Sequence, residues 1–574
     1  MNKPTEYAEL LRSLGKEWKW LLSYASKYRL QIVLYIIMGL ISTGMGLGSS
    51  VASKHLIDAV VTHNNDTIVN AAIATIGLGV SQIVITGVLS RVAGIVATKI
   101  NNNIRADVYE HMVLACWSDI RRYHSGELIN RIEGDVATVS NSIVTFIPGV
   151  FTKTAQFVGC LAVVLYYDPT MAIFAFLSAP FLLISSKFST KMMRKYNQQS
   201  REMNGKILSY CSESVQNLQT IKAFDITKRY VSQLRDLLET FRKIKLDHDR
   251  FSIAMTVCMS FIGLAVSYLC YGWGVWRLWQ GVITYGTMTL FLQVSGQLTS
   301  SFSSIVSLLP SAISIATAAG RVMEITNLPL EVRADSAEAE KMEESANEKG
   351  VIINCDNLTY TYDDGTEPVV REISFKARPG ETIAFVGPSG EGKTTILRLI
   401  LGLISPDSGD MTMETLDGER IAVSESTRRF CAYVPQGNAI FSGTIADNLR
   451  VVRPEATDEQ IEEALRNADA WGFVEKLPAG INTEIGERGV NFSEGQVQRF
   501  SIARALLRDA PVIIMDEATS ALDAETEENV LANMMKQYPN RTRIITTHRP
   551  SMLQYCTRVY RISKSGNLIE MNLN

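Results

Sequence analysis

Six apolar stretches in the first half of the chain constrain its fold more than any other feature. A helix needs about 20 mainly apolar residues to cross the hydrocarbon core of a bilayer, and each stretch is close to that length or longer. We therefore predict a multi-pass, all-α transmembrane domain of six helices over residues 30–325. The stretches lie at about 30–52, 70–93, 141–165, 169–187, 251–276 and 284–312.

The distribution of basic residues predicts how these helices are oriented. The connections near 61–68 and 166–169 contain no Lys or Arg, whereas residues 94–140 and 188–250 are rich in both. Because cytoplasmic loops carry the excess of Lys and Arg, the two basic connections are expected in the cytoplasm. Both chain termini should lie on the same side, since the N-terminal segment is also basic.

The two long inner connections have a helical pattern with spaced charges. We expect the flanking helices to continue past the membrane and to end in turns near Cys116–Gly126 and Ser214–Phe224. These turns are candidates for contact with a cytosolic domain, although a helical hairpin packed on itself also fits the pattern. Residues 1–29 place Trp18 and Trp20 among lysines, which is typical of an amphipathic helix lying in the membrane interface.

The composition changes abruptly after the last apolar stretch. Residues 326–349 are rich in Ala, Glu and Lys and have few large apolar side chains, which predicts a charged linker. Over residues 350–574, short apolar runs end in glycine or an acid and are followed by helical patterns, which is typical of an α/β domain. The net charge of −3 argues against a nucleic-acid partner, which would require a basic surface.

Residues 387–394 read Gly-Pro-Ser-Gly-Glu-Gly-Lys-Thr, between the apolar strand ETIAFV and the helical pattern TTILRLILGL. In such a loop the glycines let backbone N–H groups close around phosphates. Lys393 supplies a positive charge to the β- and γ-phosphates, and Thr394 offers a hydroxyl to Mg²⁺. We therefore expect residues 350–574 to form an α/β P-loop nucleotide-binding domain. Its predicted phosphate-loop contacts are Gly387, Pro388, Ser389, Gly390, Glu391, Gly392, Lys393, Thr394 and Thr395.

Candidate catalytic residues follow two apolar strands. Asp516 and Glu517 end PVIIMDE, where ligand sites of α/β domains normally lie. Asp516 is suited to hold Mg²⁺ through water, and Glu517 to activate an attacking water as general base. A strand-to-turn acid pair without a catalytic role is the alternative. His548 follows RIITT and is a candidate contact to the γ-phosphate and the attacking water, although a lone histidine there is more often structural.

Two further side chains are candidates for nucleotide or metal contacts. Gln436 begins a segment at the opposite side of the predicted fold, and its amide oxygen is a candidate ligand for Mg²⁺ and the attacking water. Tyr362, in LTYTYDD, is suited to stack its ring on adenine, although an aromatic residue at strand spacing is more often part of a core. The predicted metal contacts are therefore Thr394, Gln436 and Asp516.

Four further motifs follow the phosphate loop. They are VPQ at 434–436, FSEGQ at 492–496, IIMDEATSALD at 513–523 and TTH at 546–548. Together these motifs make the chain resemble a half-transporter of the ATP-binding cassette superfamily, of the exporter type with the membrane domain N-terminal. The resemblance extends over the whole chain. It implies an ATPase that uses ATP and Mg²⁺ to move a substrate across the membrane.

In this family ATP is bound between two cassettes, so the resemblance implies that Ser493, Gly495 and Gln496 complete the site on a second chain. The partner is then a second half-transporter, with a homodimer favoured and a heterodimer left open. The family's usual signature has glycine where this chain has Glu494. We favour an outward-pointing carboxylate, and the alternative is a weakened site in a heterodimer.

The function that we predict is ATP-driven export, or translocation between leaflets, by alternating access of a dimer. We expect it in the bacterial plasma membrane, where the transmembrane domain contacts lipid. A signalling or gating module that moves no substrate is the alternative. The substrate class stays open among small molecules, lipids and peptides. Gln293, Gln297 and a serine run make the sixth stretch polar, which fits either a cavity or helix packing by small residues.

Overall fold

The chain forms two compact units in the computed structural model. The first unit consists of Met1–Val113 and Tyr123–Asn327, and the second of Leu114–Arg122 and Leu328–Asn574. The segment Leu114–Arg122 therefore belongs to the second unit, although helices of the first unit flank it in sequence. The structure describes residues 3–170, 192, 195–196, 198–200 and 202–571, except 332–334, 363–364, 366, 389, 438, 487–488, 490 and 564.

Long helices build the first unit. A π-helical turn at Arg131–Asp135 precedes the sixth helix, and residues 202–216 are also helical. The fourth helix belongs to the second unit. In chain order the helices are α1 (Lys3–Ser26), α2 (Arg29–Val61), α3 (Asn65–Leu114), α4 (Trp117–Ile120), α5 (Ser125–Asn130), α6 (Val136–Tyr167), α7 (Leu218–Ala223), α8 (Thr227–Trp279) and α9 (Tyr285–Thr326).

Three helical segments of the described chain are long and apolar enough to cross a membrane, judged by length and composition. They are Arg29–Val61, Asn65–Leu114 and Ser125–Tyr167. Helices α8 and α9 contain the fifth and sixth predicted spans, whereas most of the predicted span 169–187 lies outside the described residues. Helix α3 continues well past its predicted span, and α4 and α7 lie at the two predicted turns.

Helix α9 packs against α6 through an apolar seam. Leu290 and Val294 of α9 are buried beside Cys160 and Val164 of α6. Within this seam Gln297 Nε2 donates to a serine hydroxyl of α2 at 3.4 Å, and Cys160 Sγ donates to Gln297 Oε1 at 3.8 Å. Gln297 therefore serves helix packing, which was one of the two alternatives for the polar sixth stretch.

The serines further along α9 have a different environment. Ser311 and Ser314 line a cavity of about 330 Å³ together with Ser142 and Thr145 of α6. The apolar part of the lining includes Phe146. The polar character of this stretch therefore has two structural reasons, packing near α2 and a cavity between α6 and the second half of α9.

Charged side chains near the C-terminal end of α9 are paired. The Arg131 side chain is 5% exposed and contacts Glu127 and Glu324 at 2.7 Å each. Its Nη1 also donates to the backbone carbonyl of Arg321 at 2.9 Å, and Arg321 Nε donates to the buried Asp135 carboxylate at 2.7 Å. Because a buried charge without a partner is costly, this network ties the π-helical turn to α9.

One face of α1 is buried in the first unit. Leu21 and Ala25 are almost fully buried, and the Trp18 ring lies 5.2 Å from the ring of Phe146 on α6. Tyr24 Oη donates to an aspartate of α3 at 3.1 Å. The prediction of a helix that lies in the membrane interface is therefore incomplete, because one face of α1 packs on protein.

The described part of the second unit contains two larger sheets and a two-stranded ribbon. The strands are β1 (Val351–Tyr360), β2 (Val370–Ala377), β3 (Thr382–Val386), β4 (Ser408–Thr415), β5 (Arg420–Ala422), β6 (Cys431–Val434), β7 (Gly443–Thr444), β8 (Glu484–Ile485), β9 (Val512–Asp516), β10 (Thr542–Thr546), β11 (Arg558–Ile562) and β12 (Leu568–Met571). The antiparallel sheet has the order β2-β1-β4-β5. The other has the order β12-β11-β3-β10-β9-β6, in which all strands except β12 are parallel.

Further helices complete the described part of the second unit. They are α10 (Ser336–Lys349), α11 (Lys393–Ile400), α12 (Ile445–Arg450), α13 (Asp458–Asn467), α14 (Trp471–Val474), α15 (Glu494–Leu507), α16 (Ala524–Gln537) and α17 (Pro550–Leu553), with 3₁₀ turns at Glu425–Phe430 and Gly480–Asn482. Along β3, Ile383 and Phe385 point into the core shared with the antiparallel sheet, while Ala384 points into the other core. This alternation explains why the strand is apolar throughout, since both of its faces are buried.

The predicted linker 326–349 is shorter than expected. Its second half is helix α10, and Ala339, Met342 and Ala346 on one face of that helix join the core of the second unit. The correction has a simple physical reason. Two alanines and one methionine, spaced three and four positions apart, form a narrow apolar stripe, and the surrounding Glu and Lys residues hide it in a composition average.

Candidate active site

The predicted phosphate loop joins the end of β3 to the start of α11. Gly390 and Gly392 adopt φ values of 89° and 95°, which side chains other than glycine rarely tolerate. A Cβ on Gly392 would also lie 3.0 Å from the Val369 carbonyl oxygen. The loop therefore requires glycine here to present the helix N-terminus to an anion. Ser389 lies outside the described residues.

Lys393, the first residue of α11, is buried and its side chain points back into the loop. Its Nζ donates to the carbonyl oxygens of Gly387 at 2.6 Å and Pro388 at 3.1 Å. Burial lowers the pKa of the Lys393 ammonium, although Glu517 and Asp516 partly offset this effect. Because charged phosphate oxygens are stronger acceptors than carbonyls, the ammonium is suited to bind a phosphate.

Asp516 is buried at the carboxyl end of β9. Its Oδ1 accepts hydrogen bonds from Thr546 Oγ1 at 2.7 Å and from Thr394 Oγ1 at 3.3 Å. Tyr433 also lies beside it, and burial together with Asp516 raises the pKa of that phenol to about 12. The strand order brings these groups together, because β9 pairs with both β10 and β6.

The donor set around Asp516 fits Mg²⁺. Thr394 and Asp516 present a hydroxyl and a carboxylate oxygen 3.3 Å apart, and oxygen ligands are those that Mg²⁺ prefers. No group of three or more His, Cys, Asp or Glu able to hold a metal occurs among the residues that were described. A single protein carboxylate is typical of sites where Mg²⁺ takes its remaining ligands from phosphates and water.

Glu517 follows β9 in a left-handed backbone conformation, with φ of 46°. Its backbone N–H donates to Thr546 Oγ1 at 2.9 Å, which stabilises a conformation that costs about 1–3 kcal/mol for residues other than glycine. The carboxylate accepts from Gln436 Nε2 at 2.6 Å and lies 2.7 Å from His548 Nε2. It is also 3.8 Å from Lys393 Nζ.

His548 Nε2 lies between two partners. It is 2.8 Å from Lys393 Nζ and 2.7 Å from Glu517 Oε1. If Nε2 carries a proton, it donates to the Glu517 carboxylate. If Nε2 lacks the proton, it accepts from the Lys393 ammonium. The position of this proton therefore decides which of the two charged groups the histidine binds.

The structure corrects the expected place of Gln436. The sequence predicted a segment at the opposite side of the fold, but Gln436 follows β6, which pairs with β9 in the same sheet. Its amide nitrogen therefore reaches Glu517, and the amide oxygen remains the candidate metal contact.

Tyr362 lies beside the phosphate loop helix and packs against the core of the antiparallel sheet. Its hydroxyl is 3.1 Å from Thr395 Oγ1 and accepts from Arg398 Nη1 at 3.0 Å. Its ring contacts that of Tyr360 edge to face, with centroids 4.9 Å apart. The residue is thus both a core aromatic and a neighbour of the phosphate loop.

The predicted signature residues form the start of α15. Ser493 Oγ accepts from the backbone N–H of Gln496 at 3.3 Å, and Gln496 Oε1 accepts from that of Ser493 at 2.9 Å. Glu494 is exposed on the first turn of this helix. A Cβ on Gly495 would lie 2.9 Å from the Ala521 carbonyl oxygen, so this position requires glycine.

Two residues that hold the site were missed in the sequence. Thr546 binds Asp516 and the backbone of Glu517, and Gln498 binds both the Ser520 hydroxyl and the Ala521 backbone N–H. Thr546 is the first residue of the TTH motif at 546–548, and its place in the same motif as His548 was the signal that could have identified it. Gln498 lies within an ordinary helical pattern, and its partners Ser520 and Ala521 follow β9.

These observations define a class of protein. A phosphate loop, a strand-end carboxylate pair and a histidine lie together in a chain that also carries long apolar helices. That combination is typical of a membrane-bound nucleoside triphosphatase.

Comparisons with known proteins agree with this class. The chain matches the ABC transporter transmembrane region over residues 32–302 and the ABC transporter model over residues 370–520. It is 27% identical to a Staphylococcus aureus protein whose name describes a multidrug export ATP-binding/permease protein. The match covers 96% of this chain and 95% of that protein. It is 26% identical to a multidrug resistance ABC transporter ATP-binding and permease protein of Lactococcus lactis, over 92% and 89%.

A solved structure shares the fold. The structure of a bacterial Atm1-family ABC exporter with ATP bound has a TM-score of 0.80 to this chain, with 22% identity and 94% of each chain covered. That similarity confirms the predicted fold class, a helical membrane domain followed by an α/β nucleotide-binding domain.

The chain belongs to the ATP-binding cassette transporter family and is an exporter-type half-transporter. It is an integral bacterial membrane protein and an ATPase coupled to the export of a substrate. Exporters of this type act as dimers. The predicted export function, the ATPase activity and the resemblance to exporter-type half-transporters are confirmed, and no comparison supports the signalling alternative.

We predict that Glu517→Gln lowers ATP turnover about 10²- to 10⁴-fold while ATP binding persists, because the amide keeps the shape but cannot accept a proton. ATPase assays and equilibrium binding on purified protein measure the two effects. Glu525→Gln, an exposed change on α16, is the matched control. Near-normal turnover of Glu517→Gln would exclude the general-base role.

Proposed function

We propose that two copies of this chain bind two ATP molecules between their nucleotide-binding domains and hydrolyse them to drive export. Each site would use the phosphate loop of one chain and Ser493, Gly495 and Gln496 of the other. The capping arrangement at the start of α15 supports this proposal, because it leaves Ser493 exposed at a helix N-terminus, where phosphate binds favourably.

Lys393 and the loop N–H groups would hold the β- and γ-phosphates in this mechanism. Lys393 would exchange its contacts with the Gly387 and Pro388 carbonyls for phosphate oxygens. Thr394, Asp516 and the Gln436 amide oxygen would hold Mg²⁺, which neutralises charge on the phosphates when it is bound.

Glu517 would act as general base. It accepts a proton from water while the water oxygen attacks the γ-phosphorus, and the bond to the oxygen bridging the β- and γ-phosphorus breaks to release ADP and phosphate. His548 and Gln436, both within 2.7 Å of the Glu517 carboxylate, would orient that carboxylate and the attacking water. The left-handed backbone at Glu517 supports this role, because it directs the side chain toward both partners.

ATP would bind the closed pair of nucleotide-binding domains more tightly than the open pair. This difference in affinity is the free energy available to move the membrane helices between inward-facing and outward-facing states. Hydrolysis then restores the open pair.

We place the substrate path beside the cavity between α6 and α9. A volume of about 330 Å³ falls in the usual range of small-molecule sites. Its lining combines hydroxyl groups, including Ser311 and Thr145, with Phe146 and aliphatic side chains, which suits an amphipathic compound. The names of the two relatives refer to multidrug substrates, which is consistent with this class.

The proposed orientation in the bacterial plasma membrane has both termini in the cytoplasm. The turn between α2 and α3 would lie outside, and α7 would lie inside. We predict that a cysteine at Asn65 reacts with a membrane-impermeant thiol reagent in intact cells, whereas one at Asn217 reacts only after the cells are opened. Labelling in the reverse pattern would contradict the orientation.

We predict that the purified chain alone hydrolyses ATP as a homodimer and that Glu494→Gly changes its turnover less than about three-fold. A carboxylate exposed to water on α15 costs little, whereas one at about 4 Å from the γ-phosphate would cost about 1–4 kcal/mol. Steady-state ATPase assays with light scattering for mass test both statements. Activity that appears only after mixing with a different half-transporter would establish a heterodimer instead.

A further inference from the structure

Within the second unit, the segment Leu114–Arg122 is hydrogen-bonded to the beginning of Leu328–Asn574. Cys116 N–H donates to the Pro329 carbonyl at 2.9 Å, and Glu331 N–H donates to the Leu114 carbonyl at 2.9 Å. An isolated bridge pairs Ala115 with Leu330. We call residues 114–122 the anchored turn, because its backbone is fixed on this unit while its chain continues directly from α3.

Two side chains of the anchored turn reach the surroundings of Tyr362. The guanidinium carbon of Arg121 lies 4.3 Å from the centroid of the Tyr362 ring. The Trp117 ring, in turn, lies 4.8 Å from the guanidinium carbon of Arg398. Arg398 is the residue of α11 that donates to the Tyr362 hydroxyl. Tyr362 is thus contacted on its ring and on its hydroxyl by groups connected to the anchored turn.

The ring contact matters because of what an aromatic face attracts. A tyrosine ring binds a cation through the negative potential of its π face, and it binds a flat nucleobase through the same surface. Arg121 at 4.3 Å is close enough for the first interaction. A base that stacks on this face has to displace the guanidinium.

We propose that Arg121 competes with the adenine base for the ring of Tyr362. When the base stacks on Tyr362, the Arg121 guanidinium leaves the ring. Base binding therefore removes one contact between the anchored turn and Tyr362. By linkage, any event that holds Arg121 on the ring weakens ATP binding by the same factor with which ATP weakens the Arg121 contact. This inference rests on the proposed role of Tyr362 in stacking adenine.

The test measures binding of ATP and of inorganic tripolyphosphate, which has the phosphates but no base. All variants of the full-length protein carry Glu517→Gln, so that turnover does not disturb the equilibrium. Arg121→Ala should tighten ATP binding about two- to ten-fold, the range expected for losing one partly exposed cation–π contact. Its affinity for tripolyphosphate should stay unchanged. Arg121→Lys, which keeps the cation, should bind ATP almost as the parent does.

Arg122→Ala is the matched control, because Arg122 pairs with Asp119 of the same turn at 3.5 Å. It should bind both ligands as the parent does. Unchanged or weaker ATP binding by Arg121→Ala would overturn the inference, and so would an equal gain for tripolyphosphate.

Tyr362→Ala separates this inference from the proposal on which it rests. Loss of the preference for ATP over tripolyphosphate in that variant supports base stacking on Tyr362. If that preference is lost while Arg121→Ala has no effect, only the role of Arg121 fails. If Tyr362→Ala keeps the preference, the stacking assignment itself is wrong.

Discussion

The parallel pairing of β3, β10 and β9 is the constraint on which the ATP site depends. Thr546 at the end of β10 lies opposite Phe385 on one side and Asp516 on the other. This register brings the loop after β3, the carboxylates after β9 and His548 after β10 to one edge of the sheet. A slip of one residue would turn Thr546 and Asp516 to the other face, so the register and the chemistry are inseparable.

The same edge is connected to the proposed contact with a second chain. Gln498 of α15 binds Ser520 and Ala521, which follow Glu517 closely in sequence. Arg549, the neighbour of His548, donates to the Ser520 carbonyl at 2.7 Å. Three hydrogen bonds of one loop therefore connect the segment that follows Glu517, and the neighbour of His548, to helix α15.

The sequence predicted those parts of the protein that leave a local signal. Apolar length predicted the helices α2, α3, α6, α8 and α9, and the glycine spacing predicted the loop before Lys393. Prediction from the sequence failed for features that depend on contacts between segments far apart in the chain. Gln436 was assigned to the wrong side because strand order is not encoded locally, and the stripe of α10 became visible only once a core was present to bury Met342.

The central claim is that each ATP site combines Lys393 of one chain with Ser493 of the other. Covalently linked dimers with Glu517→Gln in both halves test it through the amount of ATP retained after gel filtration. With Lys393→Ala in one half and Ser493→Ala in the other, both changes affect one site, and one ATP per dimer should be retained. With both changes in the same half, each site loses one contributor and retention should disappear. Equal retention in the two arrangements would contradict the shared site.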